Sequence, residues 1–124
     1  MNCENMTIND LVGKKIINIE VSDDKGTLKI VTEQYVFEFY HYQECCEGVC
    51  IEDINGEWSD LIGEVCTLAE ESYNTEEPSF CVSQTWTFYK FGSVKGTVVV
   101  RWLGESNGWY SESVDLKVSF RENV

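Results

Sequence analysis

A mainly β fold of the α+β kind, an antiparallel sheet or meander of hairpins with one or two short helices, is predicted for this 124-residue chain. Apolar and polar residues alternate in several runs, glycine-containing pairs punctuate those runs, and helical spacing occurs only in short pieces. The length fits one domain, residues 1–124, with its own core and no linkers.

The first element is a short helix. Thr7-Ile8-Asn9-Asp10 sets a capping hydroxyl three residues before an acid, and Gly13 ends the turn that Leu11 and Val12 pin to the core. Ile17, Ile19 and Val21 then alternate with polar residues, Lys25-Gly26 marks a turn, and Leu28, Ile30, Tyr35, Phe37 and Phe39 resume the period of two. Trp58, Leu61 and Ile62, preceded by Asn55-Gly56 and closed by Gly63, predict a second helix of one or two turns. Glu70 to Ser83, with four glutamates, Asn74 and Pro78, reads as a long acidic surface connection. Gln84 to Phe91 and Thr97 to Trp102 form the next hairpin, with Gly92 and Gly96 in its connection. A further turn at Asn107-Gly108 leads to Ser113 to Phe120, where Val114, Leu116, Val118 and Phe120 share one side.

Charge is distributed unevenly. The formal net charge is -13, and residues 30 to 89 hold thirteen of the 22 acids without one lysine or arginine. Dense negative charge attracts basic partners and repels nucleic acid, so no direct nucleic-acid binding is expected. The polar start Met1-Asn2-Cys3-Glu4-Asn5 lacks a secretory pattern and no run is long enough to span a bilayer, which predicts an intracellular protein without a membrane partner. In a reducing compartment, clustered thiols point to metal or reactivity rather than to a disulfide framework.

The same acidic block contains the only histidine and five of the six cysteines. His41, Cys45, Cys46 and Cys50 follow one another as H-x3-C-C-x3-C. Zinc takes neutral imidazole and thiolate in a tetrahedron, and four such groups on a strand-loop-strand hairpin are expected to converge. Cys66 and Cys81 are substitutes for the fourth ligand, with Glu44, Glu47 and Asp53 as weaker candidates, while Cys66 beside Val65 and Leu68 reads as core. The expected role of zinc is structural, because the chain has neither an H-E-x-x-H helix nor an H-x-E with P-C-x-x-C arrangement.

No enzyme is predicted. One histidine, if it binds metal, leaves no partner for a nucleophile, and the chain lacks a phosphate loop, a dinucleotide fingerprint and a calcium loop. Trp102, on a β-branched strand, reads as core, whereas Trp109 and Tyr110 beside the Gly104 to Gly108 turn are candidates for exposed interface anchors.

Several motifs carry a resemblance. His41-x3-Cys45-Cys46-Glu47, Ile51-Glu52-Asp53-Ile54-x-Gly56 and Asp60-Leu61-Ile62-Gly63 occur in the first half of the chain. Thr85-Trp86-Thr87-Phe88-Tyr89-Lys90 and Arg101-Trp102-x-Gly104-x-Ser106-Asn107-Gly108-x-Tyr110-Ser111-Glu112 occur in the second. Over roughly residues 11 to 118 the chain resembles a family of small phage-encoded proteins, and in size and character it is similar to zinc-containing type II-A anti-CRISPR proteins. The resemblance implies His41, Cys45 and Cys46 as a ligand core, with the fourth ligand open. It also implies the cytoplasm of a bacterial host as the location. The function it implies is inhibition of a CRISPR type II RNA-guided nuclease by protein contact that blocks target-DNA engagement. A metal-stabilised phage accessory domain with another protein partner is the alternative.

Overall fold

The computed structural model describes Cys3, residues 5–79 and residues 82–121. It is mainly β, with eight strands in two four-stranded antiparallel sheets. The first sheet contains β1 (Ile16–Val21), β2 (Leu28–Thr32), β3 (Tyr35–Tyr40) and β8 (Asp115–Phe120), in the order β1-β2-β3-β8. The second contains β4 (Gly48–Asn55), β5 (Leu68–Ser79), β6 (Val82–Gly92) and β7 (Thr97–Ser106), in the order β4-β7-β6-β5. The two helical pieces are single 3-10 turns at Ile8–Leu11 and Trp58–Asp60. The Asp10 carboxylate accepts the Thr7 backbone N–H at 2.6 Å, which caps the first turn.

Both sheets bury one face against the other. Leu28, Ile30, Phe37 and Phe39 of the first sheet and Ile51, Tyr89, Phe91, Val98, Val100 and Trp102 of the second belong to one buried cluster. Phe39 sits at the seam, 4.8 Å from the Tyr89 ring centroid and 5.8 Å from that of Phe91. Fully burying a side chain of this size contributes about 1.5–3 kcal/mol, so the alternation of these residues decides which face turns inward.

Three expectations about connectivity are corrected. Of the segment Glu70 to Ser83, residues 70–79 and 82–83 are strand rather than loop: β5 pairs with β6 from Leu68↔Gly92 to Glu76↔Gln84. Its residues 70–78 are exposed on both faces, so the strand carries no apolar alternation, and it is held by its ladder to the Thr- and aromatic-rich β6. Pro78 is tolerated because β5 is an edge strand with an irregular register between Glu76 and Ser79. The strands flanking His41 to Glu47 do not form a hairpin, since β3 pairs with β8 and β4 with β7. The segment instead crosses from one sheet to the other. The Asn107-Gly108 turn, with Gly108 at φ 93°, likewise connects strands of different sheets. Finally, Leu11 and Leu61 are buried as expected, but their neighbours Val12 and Ile62 face solvent.

Candidate metal centre and acidic docking end

Two sheet-to-sheet crossings, residues 41–47 and 107–114, lie side by side at one end of the molecule. His41 joins them. Its Nδ1 lies 2.7 Å from the Ser113 carbonyl oxygen and its Nε2 lies 2.8 Å from Glu47 Oε2. A carbonyl only accepts, so Nδ1 carries a proton and donates it. That leaves Nε2 facing a carboxylate, an arrangement that is favourable only with a proton or another cation on Nε2.

Glu47 is buried and still ionised. Its Oε2 accepts the backbone N–H of Glu44 and its Oε1 that of Cys45, both at 2.9 Å. Burial works to raise its pKa, but the Glu44 amide, then His41, then the remaining backbone donors outweigh that and hold the carboxyl down to about 2. Gln43 donates to the Cys45 and Glu47 carbonyls and completes the loop's internal bonding.

The thiols take the outer side of this loop. Cys45 and Cys46 are exposed, with their sulfurs 3.1 Å apart. The Cys45 sulfur pushes the Cys46 thiol above its ordinary pKa, and it pushes the neighbouring Tyr110 hydroxyl up as well. Tyr110 is therefore part of this cluster, whereas Trp109 stands free of it at 87% exposure.

Cys50 does not join them. It lies on β4 next to inward-facing Ile51, so the strand's period of two turns its side chain outward, and it is exposed. Cys66 is fully buried in the core, as expected, with its thiol pKa raised by burial. Cys81 lies outside the described residues. Among the described residues no three His, Cys, Asp or Glu side chains come together as a metal-holding group in this arrangement.

The donor chemistry of the loop nevertheless suits zinc. A histidine whose Nδ1–H is tied to a backbone carbonyl presents Nε2 as the ligating atom, the usual outer-sphere arrangement of zinc-bound imidazole. An ionised carboxylate lies against that nitrogen, and two adjacent thiols occupy the same seven-residue segment. Glu47, only a weaker candidate by sequence, thus lies against the nitrogen that would take a metal.

A second carboxylate was hidden in the motif ending at Glu112. That residue is 8% exposed. Its Oε1 accepts the hydroxyls of Ser83 (3.2 Å) and Thr85 (2.7 Å), and its Oε2 accepts that of Ser106. Gly104 makes room for it, because a Cβ there would lie 2.6 Å from the Glu112 carbonyl oxygen.

Around this end the surface is acidic and aromatic. Tyr42 is 69% exposed and Tyr73 73%, on the two segments that flank the Trp109 loop. Glu44, Glu71, Glu76, Glu77 and Glu105 are exposed nearby. Among the described residues the ion pairs are His41–Glu47 and Lys95–Glu64, so none of these five exposed acids is neutralised by a salt bridge. No helix among the described residues is long and apolar enough to cross a membrane.

No curated protein and no solved structure matches the chain. A family does match, over residues 9–116, a span that includes both crossings and every residue of the His41–Glu47 loop. The chain belongs to this family, a domain of unknown function (DUF7448).

Proposed function

We propose that this protein is a non-enzymatic binding domain that docks on a lysine- and arginine-rich surface of another protein. The partner implied by the sequence resemblance is a CRISPR type II nuclease in the cytoplasm of a bacterial host, and the effect is to block target-DNA engagement. The observation that carries the reading is the end of the molecule just described, where Trp109, Tyr42 and Tyr73 project from neighbouring segments among uncompensated carboxylates. Exposed aromatics supply anchors, and unpaired acids supply attraction to a basic surface and a faster encounter. RNA-guided nucleases hold nucleic acid in positively charged channels, which are opposite to this surface in sign.

Zinc belongs to the same reading as a structural brace. His41, Cys45 and Cys46 are the ligands, and Glu47 is the fourth in preference to Cys50, because Glu47 lies against His41 Nε2 while Cys50 faces outward. Bound there, zinc supplies a cross-link within the crossing that carries Tyr42 and supports Tyr110. It has no catalytic part.

Target cleavage by a panel of type II-A nucleases, with the protein in excess over the nuclease-guide complex, tests the proposal. Cleavage should fall, and inhibition should weaken as salt screens the acidic face. Full cleavage by every member, with no protein retained on immobilised nuclease, would remove the nuclease from the reading and leave the phage accessory domain with another partner.

A further inference from the structure

Between the β5–β6 arm and the second crossing lies a cavity of about 390 Å³, lined by Glu71, Tyr73, Thr75, Thr85, Thr87, Glu112 and residues 111–114. Carboxylates and hydroxyls line it. Thr85 commits its proton to Glu112 Oε1. In the contact between Thr75 and Thr85, 3.1 Å apart, Thr75 must therefore be the donor, which leaves it only lone pairs to offer. Ser83 and Thr85 satisfy Glu112 Oε1, whereas among the described residues Oε2 receives only Ser106 and keeps an open lone pair. Glu71 brings a second carboxylate. Behind it Tyr89, 1% exposed, has its hydroxyl beside Glu71 and, among the described residues, within hydrogen-bonding distance of no partner. The exposed Tyr73 ring forms one wall.

We infer that this cavity is a receptor for a guanidinium group, the side chain of one arginine on the docked partner. Guanidinium has five N–H donors and no acceptor, so it complements the two carboxylates and the Thr75 lone pairs. Its plane stacks on an aromatic ring, which Tyr73 provides at the rim, and its charge meets Glu71 and Glu112. A neutral polar ligand fits less well because it leaves both carboxylates without a counter-charge. The assignment to a partner's arginine rests on the function proposed above; the preference for guanidinium stands on the cavity alone.

The test is an amide chemical-shift titration of the full chain with N-acetyl-arginine methylamide, and with the citrulline analogue as a neutral isostere. Arginine should shift the amides of residues 71–75, 85–87 and 111–114, citrulline should not, and Glu71→Gln should weaken the arginine response at least fivefold. Glu71 is exposed and the substitution conserves shape, so the fold is expected to persist. Equal shifts with both probes, or none with arginine, overturn the site. Inhibition assays separate the two levels. If wild-type protein inhibits the nuclease and Glu71→Gln inhibits equally well, the cavity takes no arginine from the partner although the docking reading stands. If arginine binds and no nuclease is inhibited, the site stands and the choice of partner falls.

Discussion

Gly104→Ala is the sharpest test of how the second crossing is held. Gly104 lies in β7 opposite Val49 and Thr85, and the Glu112 backbone packs directly over it. An added Cβ would come within 2.6 Å of the Glu112 carbonyl oxygen and 2.8 Å of the Glu112 Cβ. Both are backbone or near-backbone atoms, which cannot rotate away, so the crossing must lift. Overpacking of this kind costs about 1–3 kcal/mol. For a domain of this size each kcal/mol lowers Tm by about 4 °C, so a fall of about 4–12 °C is expected in thermal unfolding followed by circular dichroism. Lifting Glu112 also withdraws it from Ser83, Thr85 and Ser106, so arginine binding at the cavity should be lost in the same variant. A variant with wild-type Tm and wild-type arginine binding would refute the close packing of Glu112 on β7.

Three further outcomes follow from the site. Because the folded Glu47 carboxyl titrates near 2 and an ordinary one near 4.5, its ionisation stabilises the fold fully above the ordinary value and loses that effect as pH falls toward about 2. The Tm gap between wild type and Glu47→Gln should therefore shrink over that range, and a gap independent of pH would contradict the buried ion pair. Protein purified without added metal should carry about one zinc by elemental analysis, lost in His41→Ala and Cys45→Ser but kept in Cys50→Ser. Since structural zinc supplies on the order of 10 kcal/mol, the two depleted variants should also unfold or loosen; metal-free, fully folded wild type would exclude the brace. Trp109→Ala should change stability by less than about 0.5 kcal/mol, given its exposure, while weakening nuclease inhibition at least fivefold. Unchanged inhibition would remove Trp109 as an anchor.

The sequence was most informative where one face of a strand is buried. Leu28, Ile30, Phe37, Phe39 and Val118 were legible as core because polar residues separate them at a period of two. β5 was illegible for the same reason inverted: its residues 70–78 meet solvent on both faces, and acids with a proline resemble a loop when only the ladder to β6 orders them. The partners of β4 and β8 could not be read locally, since pairing with β7 and β3 is settled by which faces meet across the core.

In the candidate site, spacing alone singled out His41, Cys45 and Cys46, which share one short segment. It could not show that Cys50 turns outward, because that follows from Ile51 turning inward. Glu47 and Glu112 were harder still. A buried carboxylate looks like any surface acid until its donors are known, and those of Glu112 come from β6 and β7, up to 29 positions away.

The most direct measurement is equilibrium binding of the untagged protein to a type II-A nuclease-guide complex at low and high salt. The proposed docking requires a saturable one-to-one complex that excludes target DNA and weakens markedly as salt rises. Target DNA bound with unchanged affinity in the presence of saturating protein, by every nuclease tried, would contradict it.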